Sequence, residues 1–330
     1  MTVWMLLFLP GCDNSAAEAL RTCEGGNTEA CYNDGMAAAS AARPRFGDAR
    51  KAFAAACRPS VGMPGAGSAV SKHRPKACNE LAILVRDAKG GPKDLPRAIE
   101  LFEISCKDGM DQACVDLGAL LYNDDPERVA ESARAVVLFE SACAKVDPLS
   151  APPPAEGVTG DAAAVPLAES CDALGHAYQD GIGVEPPQKD EDKAAALYAK
   201  ACDARYARGC VSAGALAVQS KQKPKEKVQE AAVLFERACK LDARQGCFEL
   251  AELHANKAWP DASDAIAAEF YQKTCNMDPT RGCFEAGALM EEGRVQAREG
   301  EIASLYNLAC EHGHTLACAR RALVDRPIQR

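Results

Sequence analysis

Aromatic residues are scarce, at 5% of the chain, and Val and Ile are few beside abundant Ala. That balance argues against a sheet core and for helices. Long apolar runs are missing too. The N-terminal run, Trp4 to Leu9, falls far short of the ~20 residues a bilayer-spanning helix needs. The net charge of −9 comes with no basic stripe or patch, which excludes nucleic acid as the expected partner. There is no Cys-x-x-Cys and no Cys/His cluster, so the cysteines are not spaced as metal ligands. Catalytic signatures are also missing. The chain has no His-Glu-x-x-His, no nucleotide-binding Gly-rich loop and no Gly-x-Ser-x-Gly elbow. The serine beta-lactamase set of Ser-x-x-Lys with Ser-Asp-Asn and Lys-Thr-Gly is not complete. No catalytic residue, cofactor-binding residue or metal ligand is therefore assigned.

What is present is cysteine, 17 residues of it. A reduced cytosolic chain rarely carries so many. Cys12 stands apart behind the apolar leader, and the remaining sixteen are an even number, as a disulfide framework requires. In chain order they fall into eight pairs: Cys23/Cys31, Cys57/Cys78, Cys106/Cys114, Cys143/Cys171, Cys202/Cys210, Cys239/Cys247, Cys275/Cys283 and Cys310/Cys318. Six pairs enclose seven residues; the other two enclose insertions rich in Pro, Gly and Ala, 58–76 and 146–169, which read as loops. First cysteines at 202, 239, 275 and 310 follow at steps of 37, 36 and 35 residues, the period of a two-helix repeat.

The flanks of the pairs repeat as well. An aromatic stands four residues before each first cysteine from Cys57 on: Phe53, Phe102, Phe139, Tyr198, Phe235, Tyr271 and Tyr306. Ala or Ile stands eight before it. Spacings of four and eight put these residues and Cys on one face of a helix, termed helix B. A second segment, helix A, follows each second cysteine, with a small residue four positions on: Gly35, Ala82, Gly118, Gly175, Gly214, Ala251, Gly287 and Ala322. Gly inside a helix costs about 1 kcal/mol against Ala, so its recurrence at one phase implies close approach of a neighbouring helix. Gly109 and Gly313, three residues after a first cysteine, suit left-handed helix caps. His312 and His314, in a connection with no third ligand nearby, read as solvated. His176 and His254 read as surface or groove residues of helix A, and Trp259 as the cover of a helix end.

Two resemblances follow. Leu9-Pro10-Gly11-Cys12 resembles the lipobox of bacterial lipoproteins, in which the leader is cut before the Cys and the Cys is lipidated. The alternative is a stray Cys in an apolar N-terminus. The patterns Cys-x-x-Leu-Gly-x-x-Tyr and Ala-x-x-Leu-Tyr-x-x-Ala-Cys resemble the Sel-1-like repeat, a tetratricopeptide-like unit, over residues 19–324. The paired cysteines resemble its cysteine-rich, exported bacterial branch, in which each pair bonds within one helical hairpin.

The resemblance implies an all-α fold: a right-handed α/α solenoid of seven to eight hairpins with one disulfide per repeat. It places a signal segment at 1–12 and the solenoid at 13–330. The implied function is an exported repeat scaffold for protein–protein or peptide interaction. It sits in the periplasm or outer cell envelope as a monomer that meets the membrane only through a lipid on Cys12, with no cofactor. The alternative is penicillin binding or slow beta-lactam hydrolysis, because some relatives of that branch carry a beta-lactamase name.

Overall fold

The computed structural model describes residues 27–58, 71–122, 129–149, 165–184, 188–220 and 224–324. The leader with Cys12, and Cys23, lie outside the described residues. Within them the chain forms fifteen helices and no strand. Helix A elements are α1 (Thr28–Ser40), α3 (His73–Arg86), α5 (Asp111–Leu121), α7 (Ala168–Asp180), α9 (Ala207–Gln219), α11 (Arg244–Ala255), α13 (Pro279–Glu291) and α15 (Thr315–Val324). Helix B elements are α2 (Phe46–Cys57), α4 (Leu95–Lys107), α6 (Val129–Ala144), α8 (Glu191–Asp203), α10 (Pro224–Lys240), α12 (Asp264–Met277) and α14 (Glu301–Glu311).

Both insertions end sooner than expected. Residues 73–76 and 168–169 already belong to α3 and α7. Pro75 is tolerated because it lies in the first turn, where its missing N–H has no intrahelical acceptor to lose. Glu169 suits the positive end of α7.

Local chemistry sets the helix ends. Asp94 and Asp190 cap helix B by accepting the backbone N–H of Arg97 at 3.0 Å and Lys193 at 2.9 Å. Helix B ends on a left-handed residue three positions after the first cysteine. It is Gly109 (φ 91°), Arg205 (φ 62°), Asp242 (φ 59°) or Gly313 (φ 95°). The next N–H then reaches back to the carbonyl before that cysteine: Met110 to Ser105, Tyr206 to Ala201, Ala243 to Ala238 and His314 to Ala309, at 2.9–3.1 Å. This is the Schellman closure. At α12 the same position is Asp278, which keeps an extended φ of −146° because Pro279 follows, and it caps α13 instead.

The chain divides into two compact units, Met1–Leu138 and Phe139–Arg330. In the first, α1 packs on α2, α3 on α4, and α4 on α5, with α1 also touching α3. Phe53, Phe102, Leu101 and Leu117 are almost fully buried there. The Arg50 guanidinium joins two hairpins by donating to the carbonyls of Leu84 at 2.7 Å and Lys89 at 2.6 Å.

In the second unit each helix from α8 to α15 packs on its predecessor, and α9 also touches α7 and α11. Its core is a chain of small clusters. One joins Phe248, Ala251, Ala267, Tyr271 and Leu289; the next joins Phe284, Tyr306 and Ala309.

Candidate functional site: the stapled hairpins and their helix A face

Seven disulfides are present: Cys57–Cys78, Cys106–Cys114, Cys143–Cys171, Cys202–Cys210, Cys239–Cys247, Cys275–Cys283 and Cys310–Cys318. All join the last turn of a helix B to the first or second turn of the next helix A, with Cα atoms 4.5–4.9 Å apart. Cys31 is also disulfide-bonded, while Cys23 is outside the described residues. The two inserted pairs bond like the rest, because an inserted loop leaves the helix ends it joins in place.

The residue before each second cysteine explains how the helices come so close. A Cβ on Gly209 would lie 2.5 Å from the Ala201 Cβ and 3.0 Å from the Cys202 nitrogen. Gly246 and Gly282 are pressed in the same way against Ala238 and against the Thr274–Cys275 backbone. This position is Ala, Ser or Gly in every copy, a signal that inspection of the cysteines and aromatics alone passes over.

A neighbouring helix does approach the helix A glycines, and it does so with an aromatic ring. Gly175, Gly214 and Gly287 each face a helix B ring, of Tyr198, Phe235 and Tyr306, at 2.5, 2.6 and 2.9 Å from where a Cβ would stand. Where the ring is Tyr, its hydroxyl finds an acceptor. Tyr198 donates to Gln179 at 2.6 Å, Tyr271 to Glu252 at 2.6 Å and Tyr306 to Glu291 at 2.7 Å. Burial first, then the neighbouring carboxylate, pushes the Tyr306 phenol up to about 12, and Tyr271 is raised for the same reasons.

A basic side chain two residues before the first cysteine links successive repeats. Lys200 donates to the Cys143 carbonyl at 2.8 Å, Arg237 to Cys202 at 3.3 Å and Lys273 to Cys239 at 3.0 Å. Each cation thus sits at the negative end of the preceding helix B.

Helix A carries half-buried carboxylates. Glu285 is raised by burial and then by Glu252; Glu80 is raised by burial and then by Asp116. Arg281 lies 4.2 Å over the Phe248 ring, and His314 stacks on Phe284 at 4.3 Å.

The histidines are distributed among structural tasks. His176 is half-exposed, with Nδ1 2.8 Å from the Tyr198 hydroxyl. His254 departs from the surface reading: it is 7% exposed, packed on Trp259 at 4.6 Å, and accepts the Ser263 N–H at 3.2 Å. Its phase on helix A turns it toward the connection that Trp259 closes. His312 is exposed and lies against the Leu308 carbonyl at 2.9 Å, while His314 accepts the Ala317 N–H at 3.2 Å. Among the described residues no group of three or more His, Cys, Asp or Glu is arranged to hold a metal. No described helix is long and apolar enough to cross a membrane. A Ser-x-x-Lys spacing occurs once, at Ser220 to Lys223; Ser220 is the C-cap of α9, and 221–223 lie outside the described residues.

Disulfide-closed helical hairpins, repeated with interlocking small and aromatic positions, define an α/α repeat scaffold. Two of the hairpins match the Sel1 repeat: the family model described by that name covers residues 75–110 and 168–206, in the α3–α4 and α7–α8 hairpins. The fold is similar to that of a Sel1 repeat protein from Oxalobacter formigenes, with TM-score 0.64 and 17% identity over 95% of this chain and 80% of that one. Two further solved structures match at lower TM-scores. One is c5321, a protective antigen of uropathogenic Escherichia coli strains displaying an SLR fold (0.43; 16% identity; 94% and 67% of the chains). The other is described as a putative sel1 repeat protein from Klebsiella pneumoniae subsp. pneumoniae (0.39; 15% identity; 69% and 99%). None of the curated proteins matches the chain in sequence.

Proposed function

We propose that this chain is an exported scaffold of the bacterial cell envelope that binds a protein or peptide partner and performs no catalysis. The observation that carries the reading is the disulfide set. One bond in every described hairpin from Cys57 onward belongs to an oxidising compartment, since cytosolic thiol reductants keep such pairs open. Sel1 repeats usually serve protein–protein interaction. The patterned residues of this chain are engaged in building repeats, which leaves the half-buried charged face of helix A as the surface offered to a partner.

Anchoring is proposed through a lipid on Cys12. Fractionation of cells expressing the full chain tests both parts. The wild type is expected in the membrane fraction of an envelope preparation, and Cys12→Ala in the soluble periplasm. Recovery of both in the cytosol, with reduced thiols, would overturn export. Incubation of the purified oxidised protein with a chromogenic beta-lactam tests the absence of catalysis; saturable turnover abolished by one substitution would refute it.

A further inference from the structure

One staple of the second unit differs from the others in access. The cysteines of Cys143–Cys171, Cys202–Cys210, Cys239–Cys247 and Cys275–Cys283 are at most 5% exposed. Residues of the following hairpin cluster on these bonds. Ala238, Leu241 and Ala243 lie on Cys202 and Cys210, and Ala309 and Ala317 on Cys275 and Cys283. No described helix follows α15, and Cys310 and Cys318 are both partly exposed.

The residues around this staple also depart from the repeat. Three positions after the second cysteine, α7, α9, α11 and α13 carry Leu174, Ala213, Leu250 and Ala286, all buried. In α15 that position is Arg321. Its Nη1 donates at 2.7 Å to Oδ1 of Asn307, which stands three residues before Cys310. The cation thus lies one turn in from the disulfide on both helices. Cys318 is the fourth residue of α15, whose first turn holds no acidic residue. A helix N-terminus and an adjacent arginine both favour thiolate over thiol. Two residues before each cysteine, the hairpins of Cys202, Cys239 and Cys275 have Lys, Arg or Gln. Here those positions hold Leu308 and Leu316, 36% and 52% exposed.

We propose that Cys310–Cys318 is a thiol-exchange site, reduced by a protein dithiol that docks on Leu308 and Leu316. A thiolate of the dithiol attacks the Cys310 sulfur, forms a mixed disulfide with it and expels Cys318 as thiolate. Cys318 is the better leaving group because the helix terminus and Arg321 stabilise its charge. The second thiol of the dithiol, deprotonated, then attacks the mixed disulfide at its partner sulfur and releases the Cys310 thiolate. Two electrons pass to the cysteine pair, the dithiol ends as a disulfide, and its two protons are available to the cysteines. The leucine pair favours a protein over a small thiol, because covering exposed apolar surface stabilises the encounter. The covered staples stay closed, so reduction loosens the terminal hairpin alone. The assignment rests on the bonded staples and not on export or anchoring.

The test treats the oxidised full chain with limiting dithiothreitol or with reduced thioredoxin, then traps free thiols by alkylation and maps them. Cys310 and Cys318 should be freed at least about tenfold faster than any other described cysteine of the second unit, as access and thiolate character both act on the rate. Cys106–Cys114, partly exposed but with Leu117 at the register of the arginine, should lag behind them. Glutathione should be trapped on Cys310 and not on Cys318. Arg321→Leu should slow release by both reductants, Arg321→Lys should preserve it, and Leu316→Ser should slow thioredoxin only. In the Cys310→Ser protein, adding Arg321→Leu should slow alkylation of Cys318 at pH 7, which a purely structural arginine would not do. The thermal midpoint of each unreduced variant identifies one that fails to fold, and the order of release in the wild type then decides. The proposal is overturned if Cys310 and Cys318 are freed in step with the covered staples, or if glutathione is found on Cys318. Release from Arg321→Leu as fast as from wild type, or a thioredoxin rate indifferent to Leu316→Ser, also overturns it.

Discussion

The Tyr198 ring occupies the space that a side chain on Gly175 would need: a Cβ built there would lie 2.5 Å from the ring's Cε1. The same fit joins Gly214 to Phe235 and Gly287 to Tyr306, so one glycine on helix A receives one ring of the following helix B. The stability of each hairpin then depends on a hole and its filler together.

Gly214→Ala reverses the usual sign of a helix glycine substitution. On an isolated helix, Ala gains about 1 kcal/mol over Gly. Here the methyl meets Phe235, and overpacking costs about 1–3 kcal/mol. Denaturant unfolding should show a net loss, partly restored by Phe235→Leu in the double variant. A gain in stability on Gly214→Ala would disprove the fit.

Removing one staple should weaken its own hairpin. For the nine-residue loop of Cys106–Cys114 the chain-entropy model gives about 2–3 kcal/mol. The longer Cys57–Cys78 loop should cost more by under about 1 kcal/mol, because closure entropy grows only with the logarithm of length. Guanidinium unfolding of the two paired Cys→Ser variants checks this. Non-reducing peptide mapping should find the seven bonds and join Cys31 to Cys23.

The inter-repeat cations should be worth about 1 kcal/mol each, the usual scale of such a hydrogen bond. Lys273→Met removes the donor to the Cys239 carbonyl, and Lys200→Met the donor to Cys143. The sites share no partner, so the double variant should lose the sum. Unchanged urea midpoints in both single variants would show that the contacts are incidental.

His254 makes stability fall in mild acid. Burial, then the Lys257 charge, holds its pKa below the ordinary value of 6.5, so the folded state keeps it neutral while the unfolded chain protonates. The contribution is therefore full above pH 6.5 and is lost as pH falls below it. The urea midpoint should drop between pH 7.5 and pH 5.5, and His254→Gln should flatten that slope. An equal slope in the variant would assign the acid sensitivity elsewhere.

Much of this was legible in one dimension. The aromatic four residues before Cys202, Cys239, Cys275 and Cys310 is on the same helical face as the cysteine, and all four rings are nearly inaccessible in the structure. Gly109 and Gly313 mark left-handed caps by composition alone. Arg205 and Asp242 hold the same conformation without being glycine, because the Schellman bonds around them outweigh the local cost, and no residue preference announces that.

The sequence by itself determined the repeat, its helical class and the recurrence of cysteines at the helix ends, because period and spacing along a chain act through local geometry. Only the tertiary structure decided that the helix A glycines receive rings, that His254 is enclosed, and that Lys200, Arg237 and Lys273 reach the preceding repeat. Apart from the enclosure of His254 by nearby Trp259, these relations join residues some 20 to 60 positions apart, whose meeting depends on how neighbouring hairpins stack rather than on any preference of the residues themselves.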